Sequence, residues 1–547
     1  GARIAVPSDA LHRVGSPKTS PKGYEPAPLI PEDSDRFSKK IIEPIMHLKG
    51  NNIPVSEMSF DGTLPTGTAK LEKRGVAPFV PKWIAENCIQ CNQCVQSCPH
   101  AAIRAKQIEP ERLKDAPETF KVLKSISKND RDLQFKIQVY TEDCQGCGVC
   151  IETCPSKVKS LEFSPIQVER DAGEIVNAEF FEQLPYDIID GSALNSIKGL
   201  QFKQPLFEFS GACAGCGETP YVKMVSQICG DRMIVANATG CSSIYSGTFP
   251  TTPYTVRQSD GQGPSWGNSL FEDNAEYGLG MRLAVDANRE QLKIYIDKLF
   301  AVGTSAELKS AIEKSLELWK ESSEEANDAQ KAVKAALPGA IAAAKSDEER
   351  KLLGKIDELK DYFADKVIFI IGGDGWAYDI GFGGVDHVLA SGRNGNILGL
   401  DTEVYSNTGG QASKSTPLAA VAKFAAKGKG LPKKDLAYIA MTYGYIYVGQ
   451  VALGANDAQV VRTMLEAEKF DGPSLIIAYS HCINHGINMR LGLSQQKKAV
   501  ESGHWPLFRY NPDKIEQGEN PLTIDSKDPS IPMAEYAYGE NRYKMLL

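Results

Sequence analysis

Glu86-Asn87-Cys88-Ile89-Gln90-Cys91-Asn92-Gln93-Cys94-Val95-Gln96-Ser97-Cys98-Pro99 is the stretch from which the rest of the chain can be read. Its cysteines are spaced C-x-x-C-x-x-C-x-x-x-C-P, and the same spacing returns at Cys144, Cys147, Cys150, Cys154 and Pro155. Three cysteines at this spacing let one curled loop place thiolates at three corners of an iron–sulfur cubane, while the fourth is carried away to serve the other cluster. The pattern assigns Cys88, Cys91, Cys94 and Cys154 to one [4Fe–4S] cluster, and Cys144, Cys147, Cys150 and Cys98 to another. The proline after each block is expected to end the loop and start a helix. Four-cysteine zinc is the alternative, but it does not explain the matched third spacing and proline in both repeats.

The repeat, taken as residues 82–165, resembles a two-cluster ferredoxin domain of α+β type. Between its halves, Glu109 to Arg131 is charged and reads as an insertion. Residues 1–81 read as a linker or wrapping arm, with Pro17 to Pro31 extended. Within it, Asn52 to Pro81 holds the turn signals Asp61-Gly62 and Pro65-Thr66-Gly67 and is expected to pack as loops on a neighbouring domain. Residues 166–199 read as a second linker, and 511–547 as a C-terminal tail.

From 200 to 510 the chain changes character. Apolar runs at Met233–Ala236, Val367–Ile371, Asn396–Leu400, Leu436–Met441 and Leu475–Ala478 read as buried parallel strands with helical stretches between them. This predicts an α/β domain with a mostly parallel sheet. Residues 304–366 break the rhythm. Ser305 to Asp365 is rich in Ala, Glu and Lys and reads as an inserted pair of antiparallel helices joined at Leu337-Pro338-Gly339, serving as a surface arm or subunit contact.

Four further cysteines are scattered along this domain: Cys213, Cys216, Cys241 and Cys482. Cys241 and Cys482 each follow a predicted strand, and parallel strands end on one edge, where both can meet the Cys213-Ala-Gly-Cys216 loop. A third [4Fe–4S] cluster is the reading, with structural zinc as the alternative. Cys229 is left over and reads as an ordinary buried thiol.

The strand Val367–Ile371 runs into Gly372-Gly373-Asp374-Gly375. Glycines allow a diphosphate to approach the backbone, and an Asp at a strand end can hold Mg²⁺ through oxygen. Thr402 follows Asp374 by 28 residues, the length of one strand–helix–strand step, which brings both to one sheet edge. The arrangement resembles the Mg²⁺–diphosphate motif of thiamine-dependent enzymes.

Three stretches taken together carry a closer likeness: Asp401 to Pro417 (DTEVYSNTGGQASKSTP), Glu86 to Cys94, and Thr239-Gly240-Cys241-Ser242-Ser243. From about Asn52 to Phe508 the chain resembles pyruvate:ferredoxin oxidoreductases. The resemblance implies Asp374, Thr402 and the Val404 carbonyl as Mg²⁺ ligands, with Gly373, Gly375, Cys241, Ser242 and Ser243 also at the thiamine diphosphate. It implies Asn407 beside the substrate carboxylate and reacting carbonyl, as a catalytic amide that donates to an oxyanion. It places Cys213, Cys216, Cys241 and Cys482 around the cluster nearest thiamine. The implied reaction is the reversible oxidative decarboxylation of pyruvate with coenzyme A to acetyl-CoA and CO₂. Its electrons would leave through three [4Fe–4S] clusters to a ferredoxin or flavodoxin. The implied partners are an N-terminal half that completes the thiamine site and a second copy in a homodimer. Two alternatives stand: the same machinery acting on another 2-oxo acid, or an iron–sulfur subunit that only transfers electrons.

Composition narrows the classes. A net charge of −8 speaks against nucleic acid as main partner, and no apolar run reaches the ~18 residues of a membrane span. The start has neither a signal-peptide pattern nor a Met, as expected of a processed chain or a piece of a longer one. Thirteen cysteines in metal-ligand spacing predict a reducing, cytoplasmic compartment. His481 and His485 read as structural histidines, Trp376 as a packing residue, and Lys70, Lys73 and Arg74 as a solvated charge run or a guide for an acidic ferredoxin.

Overall fold

The structure is a computed structural model, which describes residues 29–126, 132–186, 196–248, 250–321 and 323–545. The expectation for Pro17 to Pro31 lies mostly outside these residues, as do 127–131 of the charged insertion and 187–195 of the second linker. The chain divides into two compact units, one of Gly1–Thr63 with Leu71–Lys73, the other of Leu64–Lys70 with Arg74–Leu547. In the described part of the smaller unit short helical turns follow one another, Ser38–Ile42 and Glu43–Met46 among them, with Ile41 and Ile42 buried.

In the larger unit the cysteine repeat carries β1 (Phe79–Trp83), β2 (Ile103–Ile108), β3 (Leu123–Lys124), β4 (Gln134–Val139) and β5 (Leu161–Pro165). β1 pairs antiparallel with β5, while β2, β4 and β3 form a second antiparallel sheet. Their core is built from Val80, Val95, Ile103, Phe135, Ile137 and Phe181. Phe181 belongs to the helix Glu174–Gln183, so the stretch read as a linker at 166–199 carries helices, Ile166–Asp171 and Glu174–Gln183, that close this core. The prolines also differ from expectation. The helix Gln93–Ser97 ends before Cys98, and Pro99 leads through a turn into β2, so each short helix starts one residue before the third cysteine and ends before the fourth.

The third and largest sheet holds β6 (Met233–Ala238), β7 (Ser265–Ser269), β8 (Val367–Gly373), β9 (Gly395–Asp401), β10 (Tyr447–Val451), β11 (Pro473–Tyr479), β12 (Phe508–Tyr510) and β13 (Leu522–Ile524). Its spatial order is β13-β12-β10-β11-β9-β8-β6-β7, parallel throughout except at β12 and β13. Every residue of β9 and β11 is buried, as befits strands covered on both faces.

Leu436–Met441, expected as a strand, is a helix. Asp435 caps it by accepting from the Tyr438 N–H at 2.8 Å. Leu436, Ala437 and Ala440 are buried while Tyr438 is 63% exposed, a helical period rather than an alternation. The strand is β10, a few residues later.

The insertion is not a pair of helices joined at the proline. Ala306–Glu317, Glu324–Ala342 and Asp347–Glu358 are three helices beside the long Asn274–Val302, and Pro338 lies inside the second of them. Ser305, Ser323 and Ser346 cap their N-termini, each accepting a backbone N–H, so the breaks fall where a serine starts a new helix. The segment read as a tail, 511–547, contributes β13 to the sheet edge and buries Tyr536, Glu540 and Arg542.

Candidate metal and cofactor centre

The cysteine loops curl because both turn left-handed at the same two places. Gly146 and Gly148 do so in the second block at φ +66° and +76°. Gln90 and Asn92 occupy the matching positions of the first, at φ +56° and +61°. A Cβ at Gly146 would lie 2.9 Å from the Phe79 carbonyl, so glycine is required there. The first loop instead uses its side chains as anchors. Gln90 donates to the Lys124 carbonyl at 2.8 Å and accepts the Ile126 N–H at 2.8 Å, while Asn92 donates to the Lys198 carbonyl at 2.9 Å.

The fold groups the thiols as their spacing suggests. Burial, then the neighbouring sulfurs of Cys88, Cys91 and Cys154, pushes the Cys94 thiol well up. Burial, then Cys147, Cys98 and Cys144, does the same to Cys150, which also feels Cys94. In the large sheet domain burial raises Cys482 to about 12, with Glu218 and Cys213 adding to it. Cys241 is raised by burial, then by Glu218, Cys216 and Cys482. Sets in which burial raises most of the thiols, Cys213 alone being exposed, suit a metal that binds thiolate, because ligation removes the proton that burial holds on. Among the described residues no three His, Cys, Asp or Glu side chains stand close enough to hold one ion. Cys229 is buried apart from these sets, near Glu468, Arg232 and Lys203.

Asp374 follows β8 and Thr402 follows β9, and the paired strands put them in contact. Thr402 Oγ1 lies 3.0 Å from Asp374 Oδ1 and 3.0 Å from the Val404 carbonyl, three oxygens sharing a single hydroxyl proton. Burial, then the charge of Asp401, pushes the Asp374 carboxyl well up. A buried oxygen cluster of this kind fits a hard cation, which would satisfy its unshared lone pairs. Ser413 donates to the other Asp374 oxygen at 2.5 Å. At Gly375 a Cβ would strike the Tyr405 ring at 2.4 Å, while Gly373 has nothing nearer than the Leu400 carbonyl at 3.9 Å.

Asn407 is exposed on the loop that follows. Its neighbour Ser406 reaches the third thiol set, with Oγ 3.2 Å from the Cys241 sulfur and its carbonyl accepting from Asn484 at 3.1 Å. The hydroxyls of Ser242 and Ser243 are engaged by the chain itself, with Asn237 and Gly240. Trp376 packs in the core. His481 and His485 hold backbone. His481 Nε2 is 2.9 Å from the Gly215 carbonyl and His485 Nε2 is 2.6 Å from that of Thr402, and burial pulls both below the usual imidazole range.

Sequence reasoning missed the groups that set this geometry. Glu403, between two of the oxygen donors, is fully buried at φ +59°. Its carboxylate accepts from Arg542 at 2.6 Å and His504 at 3.1 Å, with Lys433 Nζ at 3.3 Å. Glu218, whose carboxyl burial raises to about 7, sits among Cys216, Cys241 and Cys482. The only local signal was its place in Cys216-Gly217-Glu218.

Among the described residues no helix is long and apolar enough to cross a membrane. A family model described as a 4Fe-4S dicluster domain matches residues 87–158, and one described as a domain of unknown function, EKR, matches 24–77. The pyruvate:ferredoxin oxidoreductase of Moorella thermoacetica is 52% identical over 538 residues, covering 98% of this chain and 46% of that protein. A pyruvate-flavodoxin oxidoreductase of Nostoc is 51% identical, covering 93% of this chain and 43% of its own. The probable pyruvate-flavodoxin oxidoreductase of Escherichia coli is 43% identical, covering 99% and 45%. The chain thus spans a little under half the length of the curated relatives it matches. A solved 2-oxoglutarate:ferredoxin oxidoreductase of Magnetococcus marinus, at 15% identity and TM-score 0.29 over 50% of this chain and 65% of that one, is too loose a likeness to carry argument. The match over nearly the whole chain, with the dicluster repeat inside it, shows that the chain belongs to the pyruvate:ferredoxin/flavodoxin oxidoreductase family and corresponds to the C-terminal half of its full-length members.

Proposed function

We propose that this chain is the half of a pyruvate:ferredoxin oxidoreductase that binds thiamine diphosphate and carries electrons away. The observation that carries the reading is the 3.2 Å approach of Cys241 to Ser406, which joins a thiol set to the loop leading out of the oxygen cluster. Asp374, Thr402 and the Val404 carbonyl would hold the Mg²⁺ of the diphosphate. Cys213, Cys216, Cys241 and Cys482 would hold the third [4Fe–4S] cluster, beside the two of the dicluster repeat. When bound, thiamine diphosphate supplies the carbanion stabilisation that decarboxylation of a 2-oxo acid needs. The chain's own part is positioning: the Glu403 clamp aims the oxygens, and exposed Asn407 stands ready to donate to a substrate oxygen once the missing half covers it.

Pyruvate as substrate, coenzyme A as acyl acceptor and ferredoxin or flavodoxin as electron acceptor rest on the names of the relatives and on the matched motifs. The reading includes a homodimer of the complete enzyme in a reducing, cytoplasmic compartment. The test is reconstitution with the other half under anaerobic conditions, following ferredoxin reduction. Reduction that requires both pyruvate and coenzyme A supports the reading. Reduction with 2-oxoglutarate but not pyruvate would reassign the substrate, and none with any 2-oxo acid would leave an electron-transfer subunit.

A further inference from the structure

Lys223 lies on the helix Thr219–Cys229, which follows the Cys213–Cys216 loop, yet its side chain reaches into the cysteine repeat. It is 2% exposed. Its ammonium donates to the carbonyls of Val95 at 2.5 Å, Gln96 at 2.9 Å and Cys98 at 3.3 Å, at the C-terminal end of the helix Gln93–Ser97. These neutral acceptors satisfy its hydrogen-bonding groups and suit a cation at a helix C-terminus, but they do not cancel its charge. Burial pulls this ammonium down to about 8 and Arg104 adds to that, while the sulfurs of Cys98 and Cys94 act the other way, the more strongly once ligation makes them thiolates. The other buried cations nearby are occupied differently. Arg104 pairs with Glu208, and Lys136 lies over the rings of Trp83 and Phe120.

We infer that Lys223, as its ammonium, is a buried countercharge of the dicluster repeat, raising the reduction potential of the cluster held through Cys98 and, to a smaller degree, that held through Cys94. Each cluster gains one negative charge when it takes up one electron, and a buried cation beside the ligand sulfurs favours that state. This inference rests on the cluster assignment made above. The Cys213 set, whose sulfurs are not among the groups acting on Lys223, provides an internal control.

The test is dithionite-poised potentiometry with low-temperature EPR on the complete enzyme carrying Lys223→Gln, whose amide can still donate to a carbonyl. The expected result is an about tenfold lower ratio of reduced to oxidised Cys98 cluster at fixed solution potential, 59 mV for a one-electron couple. The Cys94 cluster should shift less, the Cys213 cluster stay in place, and Lys223→Arg restore the parent values. Unchanged potentials, or an equal shift in all three clusters, would overturn the inference. Should Lys223→Gln fail to fold, Lys223→Met is read by the same criteria. Failure of the cluster assignment itself looks different, as a parent enzyme whose iron content is too low for a pair of clusters in the repeat.

Discussion

Gly215 turns its backbone N–H toward the sulfur of Cys147 and offsets part of the burial that raises that thiol, so the loop bearing Cys213 and Cys216 lies beside the thiol set of Cys98, Cys144, Cys147 and Cys150. That set in turn meets the first through Cys150 and Cys94. The three sets therefore lie in sequence, from the oxygen cluster outward. Gly215 holds φ +79°, and a Cβ there would meet Met489 Cβ at 3.0 Å and the Met489 carbonyl at 3.1 Å. Gly215→Ala is expected to cost more than about 1 kcal/mol of stability and to weaken magnetic coupling between the two neighbouring clusters. Thermal unfolding and EPR of the reduced protein read both, and parent-like coupling would show that the contact does not matter.

Burial, then the charge of Asp401, disfavours the Asp374 carboxylate, a penalty that a bound cation would relieve. Asp374→Asn should therefore raise the stability of the cation-free chain by about 1–3 kcal/mol, while lowering affinity for Mg²⁺ and thiamine diphosphate at least about tenfold. Iron content should not change. Melting curves with and without Mg²⁺ make the comparison, and a variant still stabilised by Mg²⁺ like the parent would remove Asp374 from the site.

Glu403 is surrounded by Arg542, Lys433 and His504, and its removal takes one carboxylate from a buried network in which Lys433 keeps Asp401 and Arg542 keeps Glu540. Glu403→Ala is expected to cost about 3–5 kcal/mol. Glu403→Gly keeps the left-handed backbone without the clamp and should lose cofactor affinity all the same. Chemical denaturation and cofactor titration separate the two effects.

Lys136 gives a pH signature. It is 2% exposed, and burial pulls its ammonium from 10.5 to about 8. Between those values the unfolded chain holds a proton that the folded chain has released, so this group makes stability rise with pH through that window. Below pH 8 its penalty is complete. Lys136→Met should then stabilise the protein at pH 7 by on the order of 2 kcal/mol, less whatever its contacts with Trp83 and Phe120 contribute. The gain should shrink as pH approaches 10.5. Urea denaturation at pH 7 and pH 10 checks the sign, and a gain that grows with pH contradicts it.

What was legible in the sequence was whatever spacing alone encodes. The cysteine sets could be read because a ligand loop has a fixed reach, and β6, β8, β9 and β11 because strands buried on both faces are continuous apolar runs. Asp374 and Thr402 followed from where those strands end. Leu436–Met441 was misread because six apolar residues suit either element, and the deciding signal was the Asp435 cap. Pro338 looked like a helix break and is not one, while Ser323 and Ser346 carry the real starts. The Glu403 clamp could not be read at all. Its partners Lys433, His504 and Arg542 come from three distant places in the chain, and one lies in a segment with the look of a tail. Lys223 is similar, since nothing in Val222-Lys223-Met224 announces that its ammonium ends at Cys98.

The most direct test of the account is anaerobic metal analysis of this chain: iron, sulfide and zinc per polypeptide, with EPR after reduction. Three sets of four cysteines predict about twelve iron and twelve sulfide, with coupled [4Fe–4S] signals and no stoichiometric zinc. About eight iron with one zinc would make the Cys213–Cys482 set a structural site and contradict the path from the thiamine site through this domain.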